Sequence, residues 1–266
     1  MWPDLFSIGF LHLHSYGACI GLGFLICWWL MVRLDKAHQK EIEFFLPLLI
    51  VMGIVGSRLA YVIENWSSLF AGNIFRVFAV WEGGLVFYGG LLLGIVTYFI
   101  ACYRRHLHVW TLAPILSVFI PLGHAFGRLG CFCYGCCYGR RSDSILACSF
   151  PAHSPAWADQ VQSGRLSPLA QQSLPVLPTQ LFEAAGLILL FLFLYFLYRR
   201  ARDFVPGIYL VLYAVLRYCL EFLRDDPRAS VGPFSIAQAI SLGIFLTGLG
   251  LIGYAVTKRK YTFNHQ

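Results

Sequence analysis

Seven long and nearly uninterrupted apolar runs constrain this chain more than any other feature. They fall at Tyr16–Val32, Phe44–Ile63, Gly83–Cys102, Leu112–Phe126, Leu181–Tyr198, Gly207–Phe222 and Ile236–Val256. Each approaches the roughly 20 apolar residues that a helix needs to cross a bilayer. The runs are continuous rather than alternating, which favours helices over a membrane barrel. Composition agrees. Of the residues, 58% are hydrophobic and 12% are charged, whereas a soluble domain carries about 25% charged residues. The expected fold is an all-α integral membrane protein with about seven transmembrane helices, with 1–266 forming a single membrane domain. An aromatic content of 17% excludes a disordered chain. The net charge of +7 forms no Lys/Arg-rich stripe on a polar scaffold, so no nucleic-acid partner is expected.

The basic residues set an orientation. Arg33, Lys36 and Lys40 follow the first run, and Arg104 and Arg105 the third. Arg199, Arg200 and Arg202 follow the fifth, and Lys258, Arg259 and Lys260 the seventh. With seven spans all of these lie on one side, which the positive-inside rule makes cytoplasmic. The N-terminus is then periplasmic and the C-terminus cytoplasmic. Met1–Leu13 lacks the basic start of a signal peptide, so the first span is expected to be permanent. The long segment 127–178, rich in Cys, Gly, Pro and Ser, falls on the periplasmic side. A stretch of that length is usually functional or carries its own structure.

The other basic residues are all arginine, at 58, 76, 128, 140, 141, 165, 217, 224 and 228. A guanidinium holds a phosphate bidentately, which an ammonium cannot do. Arg58, Arg128, Glu183, Arg217 and Glu221 sit within or beside apolar runs. Each costs about 2.5–3.5 kcal/mol at a helix centre on insertion scales. Arg217 and Glu221 are i,i+4, with Tyr213 one turn earlier and Arg224 continuing the same face. Such a stripe either locks two helices together by an ion pair or faces a cavity as a headgroup or phosphate site. Gln180, Glu183 and Glu82 are candidate partners.

Two motifs are rich in glycine. Trp81-Glu-Gly-Gly-Leu-Val-Phe-Tyr88-Gly-Gly places a glycine pair on each side of Tyr88. Close helix packing and a broken helix both fit it. Gly127 to Arg140 reads Gly-Arg-Leu-Gly-Cys-Phe-Cys-Tyr-Gly-Cys-Cys-Tyr-Gly-Arg, and is expected to be irregular backbone lining a cavity. Its cysteines 131, 133, 136 and 137 admit structural disulfides, a metal site or small buried packing. The spacing differs from the paired cysteines of zinc sites. Disulfides or packing are the favoured readings, and no metal or cofactor is expected.

These residues resemble those of the prolipoprotein diacylglyceryl transferases of bacterial inner membranes. Gly56-Ser-Arg58-Leu-Ala-Tyr61 resembles the family's G-A-R-L-x-Y, and the Tyr88 motif its W-x-G-G-x-x-F-H-G-G. Gly127 to Arg140 resembles G-R-x-x-N-F-x-N-x-E-x-x-G-R. Pro178-Thr-Gln-Leu-Phe-Glu183 resembles H-P-S-Q-L-Y-E, and Tyr213 to Arg224 resembles Y-G-x-x-R-x-x-x-E-x-x-R. His14-Ser-Tyr16-Gly resembles H-x-Y-G. The six segments occur in the family's order. The chain departs from these patterns at Tyr88 and Leu177, each in place of His. It departs again at Cys131 and Tyr134, in place of Asn, and at Cys136, in place of Glu.

The resemblance implies transfer of diacylglyceryl from phosphatidylglycerol to a lipobox cysteine thiol, with release of glycerol-1-phosphate. It implies as partners phosphatidylglycerol, the signal-peptide segment of a preprolipoprotein and membrane lipid. The implied location is a multi-pass place in the bacterial inner membrane. On this reading Arg128 and Arg217 clamp the phosphate, and Glu221 orients Arg217. Tyr88 and His124 complete the catalytic set. His14, Tyr16, Arg58, Arg140, Gln180, Glu183, Tyr213 and Arg224 are expected to bind substrate. The replaced residues leave the proton acceptor open. His14, His124 and His153 are candidates, and His124 lies one helical turn before Arg128. Two alternatives remain, a paralogue with another acceptor and a membrane thiol-disulfide oxidoreductase using the cysteine cluster.

Overall fold

The computed structural model describes residues 4–8, 11–70, 74–79, 83–224, 230–231 and 234–264. Eight α-helices account for most of them. They are α1 (Ser15–Leu34), α2 (Gln39–Glu64), α3 (Phe87–Arg104), α4 (Ala113–Tyr134), α5 (Pro155–Gln162), α6 (Thr179–Tyr198), α7 (Val205–Glu221) and α8 (Ile236–Asn264). All but the short α5 are long and apolar enough to cross a membrane. The seven expected spans are therefore present. Two short antiparallel ribbons are the only strand pairs among the described residues. One pairs β1 (Asp4–Ile8) with β2 (Leu11–His14), and the other pairs β3 (Ser230–Val231) with β4 (Phe234–Ser235). Trp81, Glu82 and Arg228 lie outside the described residues.

Two boundaries differ from the sequence expectation in ways that matter. Helix α4 continues to Tyr134, through the first half of the cysteine-rich motif. No proline interrupts that stretch, and a backbone at membrane depth must satisfy its own hydrogen bonds. Irregular backbone begins only at Gly135. Helix α3 starts at Phe87 rather than Gly83, because Gly83 and Gly84 take left-handed φ values of 82° and 75°.

The chain divides into two compact units, residues 28–113 and residues 1–27 with 114–266. In the first of these, α2 and α3 pair closely through glycine. A Cβ on Gly90 would lie 2.6 Å from the carbonyl oxygen of Gly53, and one on Gly89 would meet that of Gly56. The second glycine pair beside Tyr88 thus serves helix packing. In the other unit, α4 and α6 are the most enclosed spans. Segment 135–178 carries its own small core of Tyr138, Phe150, Ala156 and Val176. Ser154 caps α5 by accepting from the Trp157 amide at 3.3 Å, and Tyr138 donates to Asp159 at 2.7 Å.

Candidate active site

The polar stripe of α7 meets α4 and α6 in the second unit. Ala125, Ala184 and Leu187 form a buried apolar cluster, on which Leu129, Tyr213 and Leu216 pack. The polar side chains sit one residue or one turn from these contacts, so the packing that joins the helices also gathers the charges. His124 and Arg128 come from α4, and Gln180 and Glu183 from α6. Tyr213, Arg217 and Glu221 come from α7. The His124 ring lies 5.8 Å from that of Tyr213.

Glu183 is the shared anion. Its Oε1 is 3.1 Å from Arg128 Nη2 and 3.6 Å from His124 Nε2, and its Oε2 is 4.0 Å from Arg224 Nη1. Arg128 Nε donates to His124 Nε2 at 3.2 Å. That nitrogen is therefore the acceptor of a neutral ring, which carries its proton on Nδ1. Arg217 pairs with Glu221 at 2.7 Å, with i,i+4 spacing.

These ion pairs leave directional capacity unused. Among the described residues, three buried side-chain polar atoms lack an aligned hydrogen-bond partner. They are Gln180 Oε1, Glu183 Oε1 and Arg217 Nη1. All belong to this one site. Glu183 Oε1 and Arg217 Nη1 are nonetheless held by charged partners, at 3.1 and 2.7 Å, so of the three Gln180 Oε1 is the acceptor left for another donor.

The loop after α4 is bound to the same helices. Gly135, at φ 81°, ends α4, and its amide donates to the Cys131 carbonyl at 2.9 Å. A Cβ there would lie 2.9 Å from the Phe150 ring. Gln180 Nε2 donates to the Cys136 carbonyl at 2.7 Å, and Thr179 Oγ1 to the Cys137 carbonyl at 2.9 Å. Gly139 and Arg140 then pair with Leu177 on one side and with Leu223 and Arg224 on the other. Thr179 escaped the sequence reading. A hydroxyl in the first turn of an apolar helix was the available signal.

All nine cysteines are free thiols. The sulfurs of Cys131, Cys136 and Cys137 lie within 4.8 Å of one another. Hydrogen bonds from Cys131 and Cys136, and then Arg224, hold the Cys137 thiol well below the usual range. The same sulfur contacts push Cys136 upward, and burial raises Cys148.

The other sequence candidates are placed differently. Tyr16 lies over α4, where a Cβ on Gly130 would come within 2.8 Å of its ring. Arg140 is exposed, and its backbone rather than its side chain joins the loop to the helices. His14 ends β2, directly before α1. Arg58 and Tyr88 belong to the other unit. Arg58 is buried and donates to the carbonyls of Arg76, Val77, Gly83 and Gly84 at 2.6, 2.9, 2.6 and 3.3 Å. Tyr88 is half-exposed in the first turn of α3, edge-on to Phe87.

Comparison with known proteins matches residues 3–254 to the prolipoprotein diacylglyceryl transferase family. The phosphatidylglycerol–prolipoprotein diacylglyceryl transferase 2 of Clostridium perfringens is 31% identical over 260 residues, covering 94% of this chain and 93% of the relative. The transferase of Clostridium tetani is 30% identical over 260 residues, covering 94% and 96%. That of Erwinia tasmaniensis is 31% identical over 279 residues, covering 97% and 93%.

Proposed function

Because the chain belongs to the prolipoprotein diacylglyceryl transferase family, we infer that it transfers diacylglyceryl from phosphatidylglycerol to a prolipoprotein cysteine thiol. It is a transferase and a multi-pass membrane protein. The acceptor cysteine arrives on the lipobox of a signal-peptide segment. The site opens toward the periplasmic side of the inner membrane, the N-terminus lying on that side and the C-terminus in the cytoplasm. The alternation of basic residues between loops supports that orientation.

The observation that carries this function is the gathering of Arg128, Glu183, Arg217 and Glu221 into one buried cluster of α4, α6 and α7. Arg217 is a buried guanidinium held through Nη1 by Glu221 at 2.7 Å, and its planar fork is suited to a phosphodiester oxygen. Gln180 Oε1, buried and without a hydrogen-bond partner among the described residues, is an acceptor suited to a hydroxyl of a glycerol headgroup. Arg217, fixed by Glu221, and Arg128, fixed by Glu183, stabilise charge as the glyceryl carbon–oxygen bond breaks and glycerol-1-phosphate leaves. Neutral His124 orients Arg128 through Nε2. Tyr213, Tyr16 and Arg224 line the site. Arg58 holds the backbone at 76–77 and 83–84, and the exposed Arg140 meets the headgroup region.

The test is complementation. The protein is expressed in bacterial cells depleted of their own transferase, and a lipobox peptide is examined by mass spectrometry. The expected result is a diacylglyceryl mass increase on the cysteine, lost in Arg217→Ala. Absence of that increase at normal membrane abundance overturns the assignment.

A further inference from the structure

The phosphate site accounts for the leaving group but not for the nucleophile. An acceptor thiol must become a thiolate to attack, and near neutrality a free thiol is only a few per cent ionised. The ring nitrogen of His124 nearest the charged cluster already accepts from Arg128. Beside this cluster stands a group of thiols that no step of the transfer has used. Cys131 lies in the last turn of α4, and Cys136 and Cys137 follow the turn at Gly135. The left-handed backbone at Gly135 and at Cys137, with φ of 81° and 62°, folds the two later cysteines back onto the first. Gln180 and Thr179 pin the carbonyls of Cys136 and Cys137. The three sulfurs end within 4.8 Å of one another, half-buried.

We propose that Cys131, Cys136 and Cys137 form a three-thiolate zinc site whose open fourth position takes the acceptor cysteine thiol. The role in transfer rests on the transferase assignment above, whereas the metal site stands on the thiol geometry alone. Zinc–sulfur bonds of about 2.3 Å in a tetrahedron place ligand sulfurs about 3.8 Å apart, so the observed cluster needs only a small contraction. Four protein ligands make a closed structural site, but three leave a position for water or substrate. A disulfide would use two of the sulfurs and strand the third. Three thiolates on a divalent ion leave one negative charge, and the neighbouring Arg224 guanidinium, whose charge acts on Cys137, offsets it.

The step balances without a redox partner. The acceptor thiol displaces water from zinc and releases its proton to solvent, since a coordinated thiol is deprotonated. The zinc-bound sulfur attacks the glyceryl carbon of phosphatidylglycerol. The carbon–oxygen bond to phosphate breaks, and its electron pair leaves with glycerol-1-phosphate. The thioether has no charge to hold it on zinc, and water replaces it.

The full-length protein is purified in detergent under reducing, anaerobic conditions. Its zinc content is measured by mass spectrometry, and the metal-free protein is titrated with cobalt. The expected result is one metal per chain, with the charge-transfer absorption of three thiolates. Adding a lipobox peptide should raise that absorption to four thiolates, and its Cys→Ser counterpart should not. Cys137→Ser should lose metal binding, whereas Cys219→Ser should keep it. Removing zinc from the wild type should slow transfer ~30-fold, the factor expected from thiol ionisation at neutral pH, and zinc should restore it. The wild-type titrations settle the matter even if Cys137→Ser does not fold. Failure to bind zinc or cobalt, a disulfide within the cluster in native membranes, or transfer indifferent to zinc removal overturns the proposal. Metal binding and peptide coordination without any diacylglyceryl transfer would instead count against the transferase assignment and keep the thiolate site.

Discussion

Arg58 and Arg128 are both arginines in apolar helices, and the two are satisfied in opposite ways. Arg58 is 7% exposed and gives its donors to backbone carbonyls of the segment that precedes α3. Among the described residues these acceptors are neutral backbone carbonyls at 76–77 and 83–84, and the guanidinium holds that backbone. Arg128 faces a carboxylate and a histidine nitrogen, both side chains on helices. Near it, Gln180 Oε1 is buried without a hydrogen-bond partner among the described residues. Burial of an arginine in a membrane helix therefore does not by itself mark a substrate site. What the fork is bonded to separates a clamp on the backbone from the anion site proposed at Arg128 and Arg217.

The largest effect should come from the anion site. Arg217→Ala and Arg128→Ala should each lower transfer ~100- to 1,000-fold, the range for losing a donor aimed at developing charge. Arg217→Lys should recover little, because an ammonium cannot reproduce the fork. The measurement is the rate of peptide diacylglycerylation at equal amounts of folded protein. A loss no larger than that of Arg58→Ala would erase the distinction between the two arginines.

Glu183→Gln tests whether the shared carboxylate holds the site together. The change is nearly isosteric, but it removes the counter-charge from Arg128 and its contact with Arg224. Breaking a buried pair from one side costs about 3–5 kcal/mol. Thermal unfolding in detergent should show a marked fall in midpoint, with transfer weakened at temperatures where the protein remains folded. An unchanged midpoint would show that the arginines are held by other partners.

Arg58→Ala should act on the loop rather than on the lipid. Each buried carbonyl left unpaired costs about 1–3 kcal/mol. Limited proteolysis should cut the segment 74–86 faster, with KM for phosphatidylglycerol nearly unchanged. A rise in KM matching that of Arg128→Ala would place Arg58 in the headgroup site after all.

Most of the helical frame was legible in the sequence, because apolar run length alone decides whether a helix can span a bilayer. The Arg217–Glu221 pair was legible for a similarly local reason, since i,i+4 spacing brings two side chains to one face. The convergence on Glu183 was not, because it depends on how α4 and α6 rotate against each other. Nor was the turn at Gly135, which reverses the chain after a helix longer than hydropathy suggested. A cysteine in left-handed backbone at position 137 has no propensity signal, and the meeting of three sulfurs follows from that turn. The surroundings of Arg58 were not legible either. Its acceptors among the described residues are backbone carbonyls, which no side-chain pattern reveals.

The smallest effect should come from Arg140, which ends the signature motif as Arg128 begins it. The backbone at Arg140 is fixed on both sides, by the Leu177 amide bonding to its carbonyl at 3.0 Å and by its own amide bonding to Leu223 at 2.9 Å. Its side chain is exposed. Those two facts separate what the position does from what the guanidinium does. Arg140→Ala keeps both backbone hydrogen bonds and removes only a solvated charge, so stability should change by less than about 0.5 kcal/mol. Transfer should fall less than ~3-fold at moderate salt, where exposed charges are screened. Repeating the assay at low salt with anionic vesicles sharpens the comparison. A modest loss confined to low salt would assign Arg140 to long-range attraction of the headgroup. A loss independent of salt, on the scale of Arg128→Ala, would mean that the side chain swings into the anion site when lipid binds.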